Sequence, residues 1–114
     1  MANARVEQVV GRLILSHFPH TPTDGQREVC VAMSHFLYDA DPRSAFLLCG
    51  YAGTGKTSLV SALIKTLPDL RVNCVLLAPT GRAAKVLSSY SDRKAYTIHK
   101  KIYMTAYIKF HIYL

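Results

Sequence analysis

Residues 50–58 read Gly-Tyr-Ala-Gly-Thr-Gly-Lys-Thr-Ser, a run that combines closely spaced glycines with a lysine and hydroxyl side chains. Gly50, Gly55, Lys56 and Thr57 satisfy the pattern G-x-x-x-x-G-K-[ST]. Glycines let the backbone turn so that successive N–H groups point at phosphate oxygens, and the start of a following helix adds partial positive charge. The run therefore predicts a triphosphate site; a glycine-rich turn without a ligand is the alternative.

The chemistry of such a loop assigns a role to each residue type. We expect Lys56 to reach the β- and γ-phosphates as the catalytic cation, and the Thr57 hydroxyl to bind Mg²⁺. The other nucleotide contacts are expected from the backbone and side chains of the same run: Gly50, Ala52, Gly53, Thr54, Gly55, Lys56, Thr57 and Ser58.

A capping pattern lies upstream of the loop. Thr23 is followed three residues later by Gln26, just before an apolar-periodic run, which is typical of a capping box at a helix start. The Gln26 amide also has the donor and acceptor needed to read an adenine edge. From these two residues alone, the cap is the favoured interpretation and base recognition is the alternative.

A second turn lies downstream, in Ala-Pro-Thr-Gly-Arg-Ala-Ala-Lys at residues 78–85. It ends an apolar run and opens a helix. In a parallel sheet the carboxyl ends of all strands share one edge, so we expect Thr80, Gly81 and Arg82 on the same side as the phosphate loop. Because the loop already serves a nucleotide, a second anion site suggests a phosphodiester backbone. Thr80 as an ordinary N-cap is the alternative.

The charge is unevenly distributed along the 114 residues. Residues 1–78 carry seven Lys/Arg and six Asp/Glu, whereas residues 79–114 carry seven Lys/Arg and only Asp92. The basic excess therefore follows the loop, where it would meet a polyanion. A solvated basic surface without a partner is the alternative.

Apolar spacing predicts the elements that hold these residues. We expect helices at about 4–17 and 24–39, after the phosphate loop as far as Pro68, at 81–90, and a short one at 97–103. Buried strands are expected at 45–49 and 72–78. The alternation of strand and helix implies an α/β fold with a parallel sheet and flanking helices.

The three cysteines and the apolar segments bear on location. Cys30, Cys49 and Cys74 are odd in number, far apart and set in apolar sequence, which favours reduced core thiols over disulfides or zinc ligands. The sequence shows neither a secretory signal nor an apolar stretch of about 20 residues that would span a membrane. We expect a cytoplasmic protein without a membrane partner.

Three segments together resemble a known family. "GYAGTGKTSLVSALIKTL", "VLLAPTGRAAKVLSSY" and "TIHKKIY" look like the first motor domain of superfamily 1B DNA helicases, the RecD-like and Dda-like enzymes. Gln26 matches that family's Q motif, residues 50–57 match motif I, the Walker A loop, and residues 78–85 match motif Ia. Thr97–His99 match a following motif near the DNA path.

The resemblance implies a partial RecA-like P-loop NTPase domain that binds ATP and Mg²⁺. It also implies 5′-to-3′ translocation along single-stranded DNA, with Gln26 on the adenine and Thr80, Gly81, Arg82, Thr97 and His99 near the DNA. We accordingly divide the chain into an N-terminal helix at 1–20, the partial ATP-binding domain at 21–103 and a tail at 104–114 that lies outside the resemblance.

The family's acidic motif has no counterpart here. No Asp or Glu follows Asp92, so the Walker B pattern of apolar residues followed by Asp-Glu is not found, and neither is a second motor domain. We expect no hydrolysis by this chain alone. The tail "MTAYIKFHIYL" alternates partly and suggests either an edge strand or a truncated frame. A remnant that binds ATP or single-stranded DNA without activity, and another P-loop enzyme such as a nucleotide kinase, are the alternatives to a helicase part.

Overall fold

Three helices form the first part of the described chain. The structure is a computed structural model that describes residues 2–39, 41–50, 55–102 and 111–113. It divides into two units, Met1–Thr66 and Leu67–Leu114, each considered by itself below. In the first unit, α1 spans Ala2–Ser16, α2 spans Asp24–Leu37 and α3 spans Lys56–Thr66. All three helices confirm the sequence predictions to within a few residues.

Helix α1 packs against both α2 and α3. Val10 and Ile14 of its predicted apolar stripe are fully buried, but Val9 is 62% exposed, so only part of that stripe faces the core. The approach of α1 to α2 is close at Gly11, where a Cβ atom would lie 3.3 Å from Ser34 Oγ. Ser34 in turn donates a hydrogen bond of 2.7 Å to the Cys30 carbonyl, which satisfies its buried hydroxyl.

The segment 45–49 is not a strand, contrary to the sequence prediction. It has no regular secondary structure, and Leu47 is 86% exposed. A strand needs at least one neighbour to pair with its backbone groups, and the segment pairs with no strand among the described residues. An apolar composition is therefore not sufficient for a strand, which also needs a neighbouring strand with which to form hydrogen bonds.

The second unit is built around a short parallel sheet. The elements are β1 (Val75–Ala78), α4 (Gly81–Ser91), β2 (Ala95–Thr97), α5 (Ile98–Ile102) and β3 (His111–Tyr113). The strand order is β2-β1-β3, and Leu76 of the central strand pairs with Ala95 on one side and Ile112 on the other. The nearly continuous burial of β1 is typical of a central parallel strand. The chain is thus α/β, with a parallel sheet and flanking helices, as predicted.

Two strands of this sheet differ from the sequence expectation. Strand β2 was missed: Ala95 and Tyr96 were assigned to no element, and Thr97 was assigned to the short helix, which begins at Ile98. Residues 111–113 form β3, which confirms that part of the tail pairs as a strand. Residues 103–110 and 114 of the predicted helix end and tail lie outside the described residues.

The cysteines divide between core and surface. All three are free thiols, and Cys30 and Cys74 are buried as expected. Cys49 is exposed, so its assignment to the core was wrong; it follows Leu47 and Leu48 in the segment that joins no sheet. Across the described ranges, the helices are too short or too polar to cross a lipid bilayer.

Candidate functional site

The structure describes the glycine-rich loop at its two ends, at Gly50 and from Gly55 onward. Gly55 has a φ of +84°, a conformation that side chains resist, and Lys56 follows as the first residue of α3. The Lys56 ammonium donates a hydrogen bond to the Gly50 carbonyl, so the lysine contacts the first residue of the loop. Ala52, Gly53 and Thr54, which were assigned to the nucleotide, lie outside the described residues, as does Tyr51.

Gln26 is the link between α2 and this loop. Its side-chain Oε1 accepts from Thr23 N at 2.9 Å, and its own backbone N–H donates to Thr23 Oγ1 at 3.2 Å, which confirms the capping box. Its Nε2 donates to the Gly55 carbonyl at 3.3 Å. A Cβ atom at Gly55 would collide with this same nitrogen, so the position excludes a side chain on two counts. Contact with an adenine stays a prediction.

A histidine that the sequence did not single out lies beside the first turn of α3. His20 Nε2 is 3.3 Å from Ser58 Oγ, and His20 Nδ1 is 3.1 Å from the Thr21 carbonyl. His20 also contacts Phe18 edge-to-face, with ring centroids 6.1 Å apart. The two prolines of "FPHTPTDG" indicate only a helix break, so the sequence carried no signal for this contact.

A groove in the second unit brings two of the predicted nucleic-acid residues together. It has a volume of about 570 Å³ and lies along α4, β2 and the start of α5. Gly81, from the motif Ia segment, and Thr97, from the following motif, both line it. Three lysines that the sequence prediction omitted also line it: Lys85, Lys94 and Lys100. We call this feature the lysine groove.

The other two residues of segment 78–85 that were predicted to contact DNA, Thr80 and Arg82, do not line the lysine groove. Thr80 and Arg82 line a second groove of about 400 Å³ with Val86 and Tyr90. Thr80 is also the N-cap of α4, since its Oγ1 accepts from Ala83 N at 3.1 Å. The three residues Thr80, Gly81 and Arg82 are therefore consecutive but do not line one surface. Burial raises the pKa of the Tyr90 hydroxyl in this second groove.

Two lysine ammonium groups contact the face of the Tyr96 ring, which lines the lysine groove at β2. Lys94 Nζ lies 5.1 Å and Lys101 Nζ lies 4.2 Å from the centre of the Tyr96 ring. Thr97 Oγ1 accepts from Lys100 N at 3.3 Å and so caps α5. His99 is exposed in α5 and lines neither groove.

The pattern G-x-x-x-x-G-K-[ST] at residues 50–57, with a glycine at positive φ directly before α3, is typical of P-loop NTPases. The chain belongs to the AAA domain family, whose model matches residues 37–112. That family implies nucleotide binding at the loop. The boundaries proposed at residues 20 and 103 stay predictions. No curated protein and no solved structure matches the chain.

Proposed function

We propose that this chain is the ATP-binding N-terminal portion of an ATP-dependent 5′-to-3′ DNA helicase of the RecD-like kind, and that it grips single-stranded DNA through its basic second unit. The observation that carries the proposal is the lysine groove. Gly81 and Thr97 come from two separate sequence segments, and both resemble DNA-contacting motifs of one helicase family. Their presence in one groove is what such a grip requires.

The chemistry of the lysine groove favours a phosphodiester strand. Lys85, Lys94 and Lys100 supply ammonium groups, and none of the described residues that line the groove is acidic. Seven of the chain's Lys/Arg fall in residues 79–114 against one acid, so the groove lies in the most basic part of the sequence. Phosphate contacts of this kind hold a strand without reading its sequence.

The glycine-rich loop supplies the nucleotide site of this proposal. Lys56 and the first N–H groups of α3 would hold the phosphates, with the exposed Thr57 hydroxyl and Ser58 beside them. The Thr57 hydroxyl fits a Mg²⁺ ligand because it lies in the first turn of α3, directly after the lysine. Mg²⁺, when bound, neutralises phosphate charge. Gln26 would meet the adenine.

The two alternatives differ in what they leave unexplained. A remnant that binds ATP or DNA without doing work has the same site and differs only in turnover. A nucleotide kinase or another P-loop enzyme accounts for the loop but gives no role to the lysines that surround Gly81 and Thr97. The lysine groove therefore favours a nucleic-acid partner over a small phosphate acceptor.

A salt titration tests the nucleic-acid part. Fluorescence anisotropy with a labelled single-stranded oligonucleotide measures affinity for the wild type and for the triple variant Lys85→Ala/Lys94→Ala/Lys100→Ala. If each lysine meets a phosphate, the slope of log affinity against log salt falls by about 0.7 per contact, or about 2 in all.

The control is a triple variant with the same loss of charge in the first unit. Arg5, Arg12 and Lys65 are all exposed, so their replacement by Ala removes three cations without touching the lysine groove. We expect the control to keep the wild-type slope within about 0.5. Equal losses in both triple variants, or binding that ignores salt, would refute the groove as the DNA grip.

A further inference from the structure

Both polar atoms of the Gln26 side-chain amide are hydrogen-bonded. The residue is only 6% exposed, and its Oε1 and Nε2 contact Thr23 and Gly55 respectively. The first contact belongs to the helix cap. The second joins α2 to the residue at which the loop turns into α3, and no capping role explains it.

The Gly55 carbonyl matters because of the peptide to which it belongs. That planar unit contains the Gly55 C=O and the Lys56 N–H, which point in opposite directions in a trans peptide. The carbonyl accepts from Leu59 N at 3.2 Å in the first turn of α3 and from Gln26 Nε2 at 3.3 Å, so these two bonds together fix the direction of the Lys56 N–H. This N–H is among the first donors of α3, which have no partner within the helix and are free to meet an anion.

We propose that Gln26 is a positioning residue for the phosphate loop. Its Nε2–H is the donor from outside α3 to the Gly55 carbonyl, beside Leu59 N within the helix, and by restraining this peptide it orients the Lys56 N–H and strengthens phosphate binding whether or not a base is present. The inference rests on the proposed triphosphate binding at this loop. It differs from adenine recognition, which predicts that Gln26 matters only for ligands that carry a base.

The two roles are chemically compatible. A primary amide has two N–H donors and two acceptor lone pairs, and the contacts to Thr23 and Gly55 use one of each. An adenine edge would engage the remaining donor and acceptor. Base recognition thus neither requires nor excludes the contact with Gly55, and the roles must be separated by the choice of ligand.

Gln26→Glu removes the donor and adds a negative charge near the loop, whereas Gln26→Ala removes the donor without that charge, so both variants are measured. Glu serves as well as Gln in a capping box, so the bond from Thr23 N is retained. The donor to the Gly55 carbonyl is replaced by a carboxylate oxygen, which repels it. Calorimetry with Mg²⁺ and inorganic tripolyphosphate, which has no base, is compared with Mg²⁺ and ATP. We expect both affinities to fall by a similar factor of about 10, and the melting temperature to fall as well, because the variant buries a carboxylate beside a carbonyl oxygen.

Thr23→Ala is the matched control, since it removes the capping hydroxyl and leaves the Gln26 amide in place. We expect it to lower the melting temperature and to keep the tripolyphosphate affinity. If Gln26→Glu does not fold, Gln26→Ala alone carries the test, and its loss of tripolyphosphate affinity must exceed that of Thr23→Ala. An equal loss in Gln26→Ala and Thr23→Ala would refute the positioning role.

The outcomes separate the inference from the proposed function. If the wild type binds tripolyphosphate and Gln26→Glu weakens only ATP, Gln26 is a base contact and the inference is wrong while triphosphate binding stands. If Gln26→Glu changes neither affinity, Gln26 neither positions the loop nor contacts the base, and the inference is wrong while triphosphate binding stands. If the wild type binds neither ligand, the triphosphate site itself is refuted and the inference is refuted with it.

Discussion

Two glycines show how differently the same residue type is used in this chain. Gly55 has a φ of +84° and its missing Cβ leaves room for the Gln26 amide. Gly81 is the first residue of α4, and a Cβ there would meet no atom within 4 Å. The first glycine is required by the backbone and by its neighbour. The second is required by neither, so any constraint on Gly81 would come from a ligand that approaches the helix start.

The matched pair Gly55→Ala and Gly81→Ala tests this contrast. We expect Gly55→Ala to lower the free energy of unfolding by about 2 kcal/mol, because it adds strain at positive φ to a collision with Gln26. Gly81→Ala should raise it by about 0.5 kcal/mol, since alanine has the higher helix propensity. Urea denaturation followed by circular dichroism measures both; stabilisation by Gly55→Ala would contradict the geometry of the loop.

Lys56 is the residue on which we expect phosphate binding to depend most. Removal of a charged donor to a phosphate should weaken Mg²⁺-ATP binding by about 10- to 100-fold in Lys56→Ala. Lys65→Ala is the control, because Lys65 is an exposed lysine of the same helix with no place in the loop. Calorimetry that finds wild-type affinity in Lys56→Ala would refute the loop assignment.

The cysteines provide a residue-scale test of the buried core. Burial raises the pKa of the Cys30 thiol to about 11 and that of Cys74 to about 11. At pH 8 about one thiol in a thousand at those sites is ionised, and the reagent must also reach it. We expect one fast-reacting thiol per chain with a disulfide reagent, lost in Cys49→Ser, and two more only after unfolding. Three fast thiols would contradict the burial of Cys30 and Cys74.

At the scale of elements, each unit has a helix whose first turn is capped by a threonine side chain. Thr23 caps α2 and Thr80 caps α4, each through its hydroxyl oxygen. The α2 cap has a second consequence, since the glutamine that completes it also reaches Gly55. The cap of α4 places Gly81 at one end of the lysine groove. Capping, which is a local property of the sequence, therefore orients the residues proposed to bind phosphate.

Loss of the α2 cap should be measurable as stability. Thr23→Ala removes the oxygen that accepts from Gln26 N, and such losses cost about 1 kcal/mol. Thr21→Ala is the control, because Thr21 is exposed and precedes the helix. Urea midpoints for the two variants and the wild type check the prediction; equal midpoints would contradict the cap as a source of stability.

The elements that the sequence predicted are those with local signals. Helices α1 to α4 follow from apolar periodicity and caps, and β1 follows from a continuous apolar run. Residues 45–49 are as apolar as β1, but no described strand pairs with them, and pairing is not a local property. Strand β2 was missed because three residues carry too little pattern, although Tyr96 and Thr97 both favour strands.

The candidate site divides in the same way. The contact of Thr23 with Gln26 is readable from spacing, whereas the contact of Gln26 with Gly55 spans 29 residues and is not. The motif residues of α4 were found, but the turn of the helix places Arg82 in a different groove from Gly81. Lys85, Lys94 and Lys100 gather only because α4, β2 and α5 pack together, so no single segment showed them as a group.

At the scale of the whole molecule, the glycine-rich loop and most of the net positive charge belong to different units. The glycine-rich loop lies in the unit that ends at Thr66, and the lysine groove lies in the unit that begins at Leu67. The first 78 residues are nearly neutral, and the last 36 carry almost all of the net charge of +7. We therefore expect salt to weaken DNA binding far more than tripolyphosphate binding. A DNA strand releases condensed counterions when its phosphates are bound, whereas the short tripolyphosphate releases few.

Turnover is the property that separates a binding part from a working motor. Hydrolysis needs a carboxylate to support Mg²⁺ and another to orient the attacking water, and these 114 residues show no Asp-Glu pair after the loop. We expect phosphate release by the purified chain to stay within about twofold of a protein-free control, with or without single-stranded DNA. Lys56→Ala is the check against contamination, since a trace of another ATPase would survive in it. DNA-stimulated release that disappears in Lys56→Ala would show that this chain hydrolyses ATP, and the carboxylates would then have to be sought among the seven acidic residues of the chain: Glu7, Asp24, Glu28, Asp39, Asp41, Asp69 and Asp92.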